Sequence, residues 1–524
     1  MTNAAEDLAL REAEREADDE IVRRLAQRLG LRYVRDLNEY PLDPLAVDLV
    51  PENVIHRTRI VPLGFDVDAL VVAAADPTNV VALDDVRLIT GRELKVLVAR
   101  SSEIDDVIAR IASVDHAMLH LLDQAAEELP SVEEADIDAD GAQAPIVKAI
   151  DRIISNAVQQ RASDIHIEPR EHDVRIRYRI DGVLAEAMTT RRALSAGMTS
   201  RLKVMANLDI AERRLPQDGR MSVKVKGRSV DLRVATLPTA WGEKIVLRVL
   251  DHSAQILSLS ELGFDGRALA AYRDAVSRPY GAILLTGPTG AGKTSTMYAT
   301  LVEIDSAERN IVTVENPVEM RLDGMTQIQV DPRAGLTFAN ALRSILRSDP
   351  DVLMVGEMRD RETATIGIEA AQTGHLVLST LHTNDAASAV TRLVEMGVEP
   401  FLVASSLQCV VAQRLARRLC PNCREAYKPK PDTLAEYGIE TKLGELFRPV
   451  GCRHCSQTGY YGRIALLEIM PVSEEIRSMT VLRHTATDIA DQAIAEGMRT
   501  LREDGIQKAI DGVTTLEEVL RVTA

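Results

Sequence analysis

A glycine-rich segment in the second half of the chain has the composition of a phosphate-binding loop. Residues 287–294 read Gly-Pro-Thr-Gly-Ala-Gly-Lys-Thr and fit the pattern G-x-x-x-x-G-K-[ST] in full. An apolar run, Ala282 to Leu285, precedes the loop, and a helix-compatible run, Ser295 to Glu303, follows it. Glycines let the backbone curl so that its N–H groups face phosphate oxygens, and the helix N-terminus adds partial positive charge. The matched flanks disfavour a chance glycine-rich turn.

The residues of this loop have separate expected tasks. Lys293 is expected to reach the β- and γ-phosphates of ATP, and Thr294 is expected to hold Mg²⁺. The predicted ATP-binding residues are Gly287, Pro288, Thr289, Gly290, Ala291, Gly292, Lys293, Thr294 and Ser295.

A glutamate follows a second apolar run. Val352 to Val355 is followed by Gly356 and Glu357. Such a strand carries its carboxylate to the carboxyl edge of a parallel sheet, where ligands bind. A glycine stands where an aspartate is usual, so Glu357 is the predicted group that polarises the attacking water. The alternative is a solvated carboxylate that opens the next helix.

Two further strand ends carry polar groups. Glu315 ends the apolar run Ile311 to Val314 and is a candidate to support Mg²⁺ or the nucleophile. His382 follows the run Leu376 to Leu381 and is a candidate γ-phosphate sensor or hydrogen-bond donor. An exposed strand-end acid and a structural histidine are the alternatives, and a structural role is favoured for His375.

Four of the five cysteines form two C-x-x-C pairs. Cys420 and Cys423 are separated from Cys452 and Cys455 by residues 424–451. Two such pairs predict a tetrahedral Cys₄ set with Zn²⁺ as its occupant. His454 lies between two ligands and is expected to face solvent. Cys409 is expected to be a buried apolar residue.

The elements that must position these residues fall into four blocks. We expect a small N-terminal partner-docking domain at 1–125, an acidic linker at 126–144, an α+β domain at 145–258 and an α/β ATPase domain at 259–524. The last block alternates apolar runs with amphipathic helices, which is typical of a parallel sheet. The cysteine insertion occupies 420–455, and a helical tail follows it.

Residues in the third block alternate with period two. Val174, Ile176 and Tyr178 alternate with arginines, which predicts a strand with one buried and one exposed face. Asp164, His166 and Glu168 also share a strand face and imitate a metal cluster, but the alternation favours an ordinary strand. A solvated face is expected for Arg175, Arg177 and Arg179.

Composition limits the class of protein. The 524 residues are 46% hydrophobic and 27% charged, as in soluble globular proteins, and the formal net charge is −17. An acidic balance argues against a dedicated nucleic-acid binder. Residues 1–20 lack the apolar core of a signal peptide, and no run approaches the roughly 20 apolar residues of a membrane span. We therefore expect a cytoplasmic protein whose association with any membrane is through a partner.

Several stretches together resemble the secretion ATPase superfamily, specifically the type II secretion and type IV pilus assembly ATPases. They are the loop 287–294, an aspartate box at 315–319, an unusual Walker B at 348–360, a histidine box at 373–385, and the segments 163–169, 214–220 and 242–248. The resemblance is strong from about residue 145 onward and weaker over residues 20–110.

The resemblance implies an architecture and an activity. Its members are homohexameric rings whose subunits pair a PAS-like domain with a RecA-like ATPase domain, and ATP hydrolysis moves one domain against the other. Arginines of the PAS-like domain reach the phosphates, and Arg220 and Arg233 lie in the matching stretches. The alternative is a surface ion pair with Asp218 or Asp231.

The resemblance also implies partners. These are an inner-membrane platform protein with its cytoplasmic partners and, indirectly, pilin-like subunits. Assembly-type members carry the tetracysteine insertion, whereas retraction-type members generally lack it. Pilus assembly, protein secretion and DNA uptake remain alternatives, and no nucleic-acid partner is expected.

One position departs from the family pattern. The aspartate box usually has the sequence Glu-Asp-Pro, and here it is Glu315-Asn316-Pro317. An amide holds Mg²⁺ less firmly than a carboxylate. This keeps a nucleotide-gated scaffold without turnover as one rival interpretation, and a nucleic-acid translocase on the same core is the other.

Overall fold

The chain divides into two compact units, residues 1–250 and 251–524. A computed structural model describes residues 19, 22–37, 43, 46–47, 49–66, 69–112, 143–225, 227–250, 256–429 and 444–523. Most of the predicted acidic linker therefore lies outside the described residues. Within them, no helix combines the length and the apolar character that a bilayer crossing requires.

The N-terminal residues form a four-stranded mixed sheet in the order β1-β4-β3-β2. Its strand β3 is an apolar run in which Leu70, Val72 and Ala73 are fully buried. Antiparallel pairing joins β2 to β3, and parallel pairing joins β3 to β4. The elements are β1 (Arg32–Tyr33), α1 (Glu52–Thr58), β2 (Ile60–Asp66), β3 (Ala69–Ala74), α2 (Val80–Thr90), β4 (Leu94–Val98) and α3 (Ser101–Ala112).

A six-stranded antiparallel sheet follows, in the order β7-β6-β5-β10-β9-β8. Its apolar face shares one core with the helices α4 and α5. The elements are α4 (Gln143–Gln159), β5 (Ala162–Pro169), β6 (Asp173–Ile180), β7 (Val183–Arg191), α5 (Ser195–Met205), β8 (Gln217–Val225), β9 (Arg228–Thr239) and β10 (Gly242–Leu250). The strand predicted from the alternation of Val174, Ile176 and Tyr178 is confirmed as β6.

The other face of this sheet is charged. Glu168 on β5 forms ion pairs with Arg175, Arg177 and Lys244 at 3.2, 2.8 and 2.8 Å. The acidic residues of β5 thus neutralise flanking cations, and the four cysteines are the only metal-competent cluster among the described residues. The interpretation of residues 164–168 as an ordinary strand agrees with these contacts. The arginines of β6, in contrast, are ion-paired and not simply solvated.

The second unit contains a seven-stranded sheet in the order β13-β12-β14-β15-β11-β16-β19, parallel except for β19. The strands β11, β12, β14 and β15 confirm the four predicted strands. They are buried over their whole length because helices cover both faces. The strands are β11 (Gly281–Thr286), β12 (Ile311–Glu315), β13 (Thr326–Gln329), β14 (Val352–Val355), β15 (Leu376–Leu381), β16 (Leu407–Leu419) and β19 (Tyr460–Pro471).

Several helices of this unit begin at side-chain caps that the sequence supplies. Asp360 accepts from the N–H of Thr363, and Asp385 accepts from the N–H of Ser388. The helices are α6 (Leu259–Leu262), α7 (Gly266–Ser277), α8 (Lys293–Ile304), α9 (Phe338–Ile345), α10 (Arg361–Gln372), α11 (Ala386–Glu395), α12 (Pro400–Ser406), α13 (Glu474–Val481), α14 (Ala486–Ala495), α15 (Leu501–Ile510) and α16 (Leu516–Thr523).

The cysteine insertion connects β16 to β19. It carries the two-stranded ribbon of β17 (Glu425–Tyr427) and β18 (Leu446–Arg448). The two long strands pair antiparallel from Cys409–Pro471 to Leu419–Tyr460. Neither of these strands is predicted from the sequence, where a helical tail is expected directly after the insertion. The helical tail itself is confirmed from Glu474 onward.

Candidate functional site

Four parallel strands end together at one edge of the large sheet. Thr286 at the end of β11 lies opposite Leu381 of β15, and Val355 of β14 lies opposite Val314 of β12. The phosphate-loop sequence, Glu357, His382 and Glu315 follow or end these strands. The carboxyl edge therefore gathers all four sequence-predicted stretches, as expected for ligand sites in such sheets.

The loop between β11 and α8 has the backbone of an anion cradle. Gly287, Gly290 and Gly292 have φ values of 148°, 81° and 84°, a region that side chains rarely adopt. A Cβ on Gly287 would lie 2.5 Å from the carbonyl oxygen of Gln413. The loop leads directly into α8, so the N-terminus of that helix points its free N–H groups at the cradle.

The side chain of Lys293 folds back onto the loop. Its Nζ donates to the carbonyl oxygens of Gly287 and Pro288 at 2.6 and 3.1 Å. Burial lowers the pKa of Lys293 to about 8; the charge of Glu357 acts to raise this pKa, and that of Arg414 to lower it. The ammonium lacks a carboxylate in direct contact among the described residues, so a phosphate group would supply its counter-charge.

Glu357 lies two residues beyond β14, and its side chain is 16% exposed. Thr380 fixes the strand end because its hydroxyl donates to the carbonyl oxygen of Gly356 at 2.7 Å. The carboxylate of Glu357 forms an ion pair with Arg359, whose Nε lies 2.6 Å from Glu357 Oε2, and the same oxygen is 3.5 Å from His382 Nε2. The structure thus brings together Glu357 and His382, both predicted from sequence, with Arg359, which was not predicted.

The segment after His382 is tied to the phosphate loop. The Thr286 hydroxyl accepts from the N–H of Thr383 at 2.9 Å and lies 2.6 Å from the Thr383 hydroxyl. His382 itself is 45% exposed. His375 lies at the opposite edge, where its Nδ1 is 3.0 Å from the Ala370 carbonyl oxygen, which agrees with its expected structural role.

Glu315 is more enclosed than the sequence suggests. It is 3% exposed, and both of its oxygens already accept hydrogen bonds. The donors are the hydroxyls of Tyr298 and Thr313 at 2.5 and 2.6 Å and Nε2 of Gln327 at 3.1 Å. These bonds join α8, β12 and β13, and they orient the strand end that presents Asn316 to solvent.

Two side chains of β16 flank the loop but are not predicted from the sequence. Gln413 is buried and accepts from the Thr296 hydroxyl of α8 at 2.9 Å. Arg414 Nη1 lies 3.3 Å from where a Cβ on Gly287 would be. Both residues are distant in sequence from the loop and belong to no motif, so only their strand pairing with β11 reveals them.

Arg220 and Arg233 lie directly opposite each other on β8 and β9 of the antiparallel sheet. Arg220 is exposed, and the buried Nε of Arg233 has no hydrogen-bond partner in the described part of the chain. No ion pair joins either guanidinium to Asp218 or Asp231 there. Like charges face each other across this strand pair.

The four predicted zinc ligands converge. Their sulfur atoms all lie within 4.8 Å of one another, with Sγ–Sγ distances of 3.8 Å for Cys420–Cys452 and Cys423–Cys455 and 3.7 Å for Cys452–Cys455. Tetrahedral zinc with Zn–S bonds of about 2.3 Å would place its sulfurs about 3.8 Å apart. The donor set and its spacing fit Zn²⁺.

Backbone N–H groups donate to two of the four thiol sulfurs. Cys452 and Gly459 donate to Cys455 Sγ, each at 3.2 Å, and Gly451 donates to Cys423 Sγ at 3.3 Å. Burial acts to raise the pKa of Cys455, but the bonds from Cys452 and Gly459 outweigh it and lower this pKa to about 7. His454 stands outside the cluster and stacks on Tyr461 with ring centroids 4.0 Å apart.

The remaining cysteine is structural. Cys409 is fully buried in β16, and burial raises the pKa of its thiol to about 12. Its expected role as an apolar core residue is confirmed.

Comparison with known proteins gives strong matches over nearly the whole chain. The family model "Type II/IV secretion system protein" matches residues 139–521, and the MshEN domain model matches residues 29–118. The chain is 44% identical to the "Type IV pilus assembly ATPase PilB" of Myxococcus xanthus over 93% of this chain and 88% of that protein. It is 43% identical to the "Type II secretion system protein E" of Xanthomonas campestris over 95% and 89%.

Solved structures support the fold. The ATPase DotB of Legionella pneumophila superposes with a TM-score of 0.52 at 21% identity, over 71% of this chain and 94% of that one. The Yersinia pseudotuberculosis DotB structure gives the same TM-score at 18% identity, over 76% and 95%. The matches confirm the α/β class that the strand pattern predicts and the RecA-like core that the family resemblance implies.

Proposed function

Because this chain belongs to the family of type II/IV secretion system proteins and is an ATPase, we propose that it is a hexameric motor that powers assembly of a type IV pilus or a type II secretion pseudopilus. The observation that carries the proposal is the length of the similarity. Relatives named as pilus assembly ATPase and as type II secretion protein E each match more than nine-tenths of this chain. The match therefore includes the N-terminal residues that a partner would meet.

The nucleotide would be held by the loop 287–295. The backbone N–H groups of Thr289, Gly290, Ala291 and Gly292 would face the phosphates, and Lys293 would exchange its two carbonyl partners for phosphate oxygens. Thr294 and the adjacent Ser295 open α8, and the described residues form no hydrogen bond with the Thr294 hydroxyl. That hydroxyl would hold Mg²⁺, which when bound neutralises charge that develops on the phosphates.

Hydrolysis would be carried by the carboxylate beyond β14. Glu357 would orient and deprotonate the attacking water, and His382, 3.5 Å away, would donate to the γ-phosphate or report its loss. Arg359 is paired with one carboxylate oxygen of Glu357 and would have to release that oxygen before it could accept a proton from the water. Glu315 would act through position, since its hydrogen bonds hold β12 and Asn316 at the edge of the site.

Arg220 and Arg233 would complete the site when the antiparallel domain closes on the nucleotide. Two guanidiniums without carboxylate partners are suited to the negative charge of a transferring phosphoryl group. Closure of this kind is a gating motion that couples turnover to mechanical work. Six chains in a ring would pass this work to the membrane machinery.

We base the proposed location, partners and domain roles of the motor on its membership of the secretion ATPase family. We place it in the cytoplasm, at the inner membrane, where a platform protein and its cytoplasmic partners would receive the force and extract pilin-like subunits. The N-terminal domain (1–125) would dock these partners, and the linker (126–144) would tether it. The antiparallel domain (145–258) and ATPase domain (259–524) would form the ring, with Zn²⁺ pinning the insertion 420–455.

A cellular experiment tests the role. Replacing the native gene with a Glu357→Gln variant should abolish surface pili if the motor serves a pilus, or a secreted protein set if it serves secretion. Glu369→Gln alters an exposed carboxylate on α10 and should leave both intact. Normal pili and normal secretion in the Glu357→Gln strain would contradict the proposal.

A further inference from the structure

An arginine of β16 lies against the start of the phosphate loop. Arg414 Nη1 is 3.3 Å from the position that a Cβ on Gly287 would take. The same Nη1 donates to the Gln413 carbonyl oxygen at 3.1 Å, and Nη2 donates to the Asn384 carbonyl oxygen at 2.9 Å. The guanidinium therefore lies beside the start of the loop and is hydrogen-bonded to β16 and to the segment that follows His382.

The charge of Arg414 is not matched by a carboxylate in contact. All of its hydrogen-bond acceptors in the described residues are neutral oxygens, including the side-chain oxygen of Asn384 at 3.3 Å. Three residues along the same strand, Arg417 contacts Glu518 at 2.6 Å. The contrast indicates that β16 pairs one arginine within the fold and leaves the other for an anion.

The nearest acidic groups are committed elsewhere. Glu468 accepts from the N–H of Ala386 at 2.8 Å, and Asp385 accepts from the N–H of Ser388 at 2.7 Å. Burial lowers the pKa of Arg414, and the charges of these two carboxylates act to raise it without contact. A half-buried guanidinium in this setting gains most from an anion that enters the loop.

The position of Arg414 beside Gly287 also indicates which phosphate is within reach. Lys293 binds the β- and γ-phosphates in loops of this sequence, and here its Nζ is 2.6 Å from the carbonyl oxygen of Gly287. The beginning of the loop thus faces the terminal phosphates of a nucleotide. Arg414 lies at that end.

We propose that Arg414 binds the γ-phosphate of ATP from within the same subunit and so makes the site prefer ATP to ADP. The proposal rests on the nucleotide site proposed at 287–295, and it is independent of whether the motor serves pili or secretion. Nucleotide entry would exchange the bond to the Gln413 carbonyl oxygen for one to phosphate, while the bonds to Asn384 keep the guanidinium in place.

The experiment compares the affinities of full-length protein for ADP and for a non-hydrolysable ATP analogue with a β,γ-imido bridge. Arg414→Gln should weaken analogue binding by about tenfold or more, the size of one charge-assisted hydrogen bond, and change ADP binding by less than about threefold. Arg414→Lys, which keeps the charge, should fall between wild type and Arg414→Gln. Arg418→Gln, at an exposed position of the same strand, should change neither affinity.

Several results would overturn the proposal. Equal losses for both nucleotides would make Arg414 a structural support of the loop, and unchanged affinities with slower turnover would make it a positioning residue for the segment after His382. If Arg414→Gln does not fold, an unchanged ratio of affinities in Arg414→Lys is the contradicting result. Failure of the wild-type protein to bind either nucleotide would instead refute the nucleotide site itself.

Discussion

Arg220 and Arg233 lie in register on adjacent antiparallel strands, and Arg248 of β10 lies opposite Arg233 in the same row. Arg248 is neutralised by Asp164 at 3.0 Å, but Arg220 and Arg233 form no ion pair among the described residues. Like charges directly opposite each other destabilise a strand pair. The arrangement favours a function that needs two unpaired cations side by side.

This relationship predicts opposite effects on stability and activity. Arg233→Gln should reduce ATP turnover by about 10³-fold, as for an arginine that stabilises phosphoryl transfer. The free energy of unfolding should stay level or rise by up to about 1 kcal/mol, because the repulsion is relieved. Steady-state phosphate release and chemical denaturation measure the two quantities.

Lys224→Gln is the matched control for Arg233→Gln. Lys224 is an exposed cation on the same face of β8, and its register partner is Ser229. Turnover should be unchanged in this variant. A similar loss of turnover in both variants would contradict a specific role for the arginine pair.

Lys293 makes nucleotide binding depend on pH. Burial lowers its pKa to about 8, so the nucleotide-free protein loses the ammonium charge as pH rises through that value. Phosphate binds the charged form, and ATP affinity should therefore fall by up to about tenfold between pH 7 and pH 9. Titration of a fluorescent ATP analogue across this range provides the measurement.

The lowered pKa of Lys293 also makes the stability of the fold depend on pH. Between pH 8 and the ordinary lysine pKa of about 10.4, the unfolded chain binds the Lys293 proton and the folded chain does not. The contribution of Lys293 to the free energy of unfolding should rise with pH over this window. Lys293→Arg keeps its charge throughout and should bind nucleotide with a flat pH profile, whereas a wild-type profile equally flat would refute the assignment.

Zinc should be a structural part of the insertion. Cys420→Ser removes one of four converging sulfurs and should release about one Zn²⁺ per chain and lower the melting temperature by several degrees. Cys409→Ala, which removes the one cysteine outside the cluster, should keep the metal. Elemental analysis of both purified variants decides the matter, and full zinc content in Cys420→Ser would be incompatible with a Cys₄ site.

Restoring the aspartate in the altered aspartate box should not reduce ATP turnover. Asn316 is exposed directly after the buried Glu315, so an Asp side chain there needs no rearrangement of the core. Asn316→Asp should leave turnover unchanged or raise it, since a carboxylate supports Mg²⁺ better than an amide. A large fall in turnover, with the melting temperature preserved, would show that the amide is specifically required.

Local patterns predict the parts of the site that lie within single motifs. The loop 287–294, Glu357 and His382 each follow an apolar run, and a parallel sheet necessarily brings the ends of such runs to one edge. Each C-x-x-C pair sets two ligands by its short spacing, and the need of zinc for four ligands predicts that the two pairs converge. These expectations depend on few residues and on general rules of sheet and metal geometry.

The remaining residues of the site meet through contacts between segments that are distant in sequence, which local patterns do not predict. Arg414 reaches Gly287 only because β16 pairs with β11, and Tyr298 reaches Glu315 only because α8 packs beside β12. The strand β16 alternates poorly, since its first half is buried on both faces and its second half carries Gln413 and three arginines. Period-two analysis therefore misses it, and with it the residues that flank the loop.

Phosphate release by the purified full-length protein with Mg-ATP, measured across protein concentration beside Glu357→Gln, tests the motor account most directly. We predict turnover per chain that rises with concentration as a ring assembles, and a fall of about 10²- to 10⁴-fold in Glu357→Gln with ATP binding retained. Turnover that is independent of concentration, or a Glu357→Gln variant as active as wild type, would contradict the account.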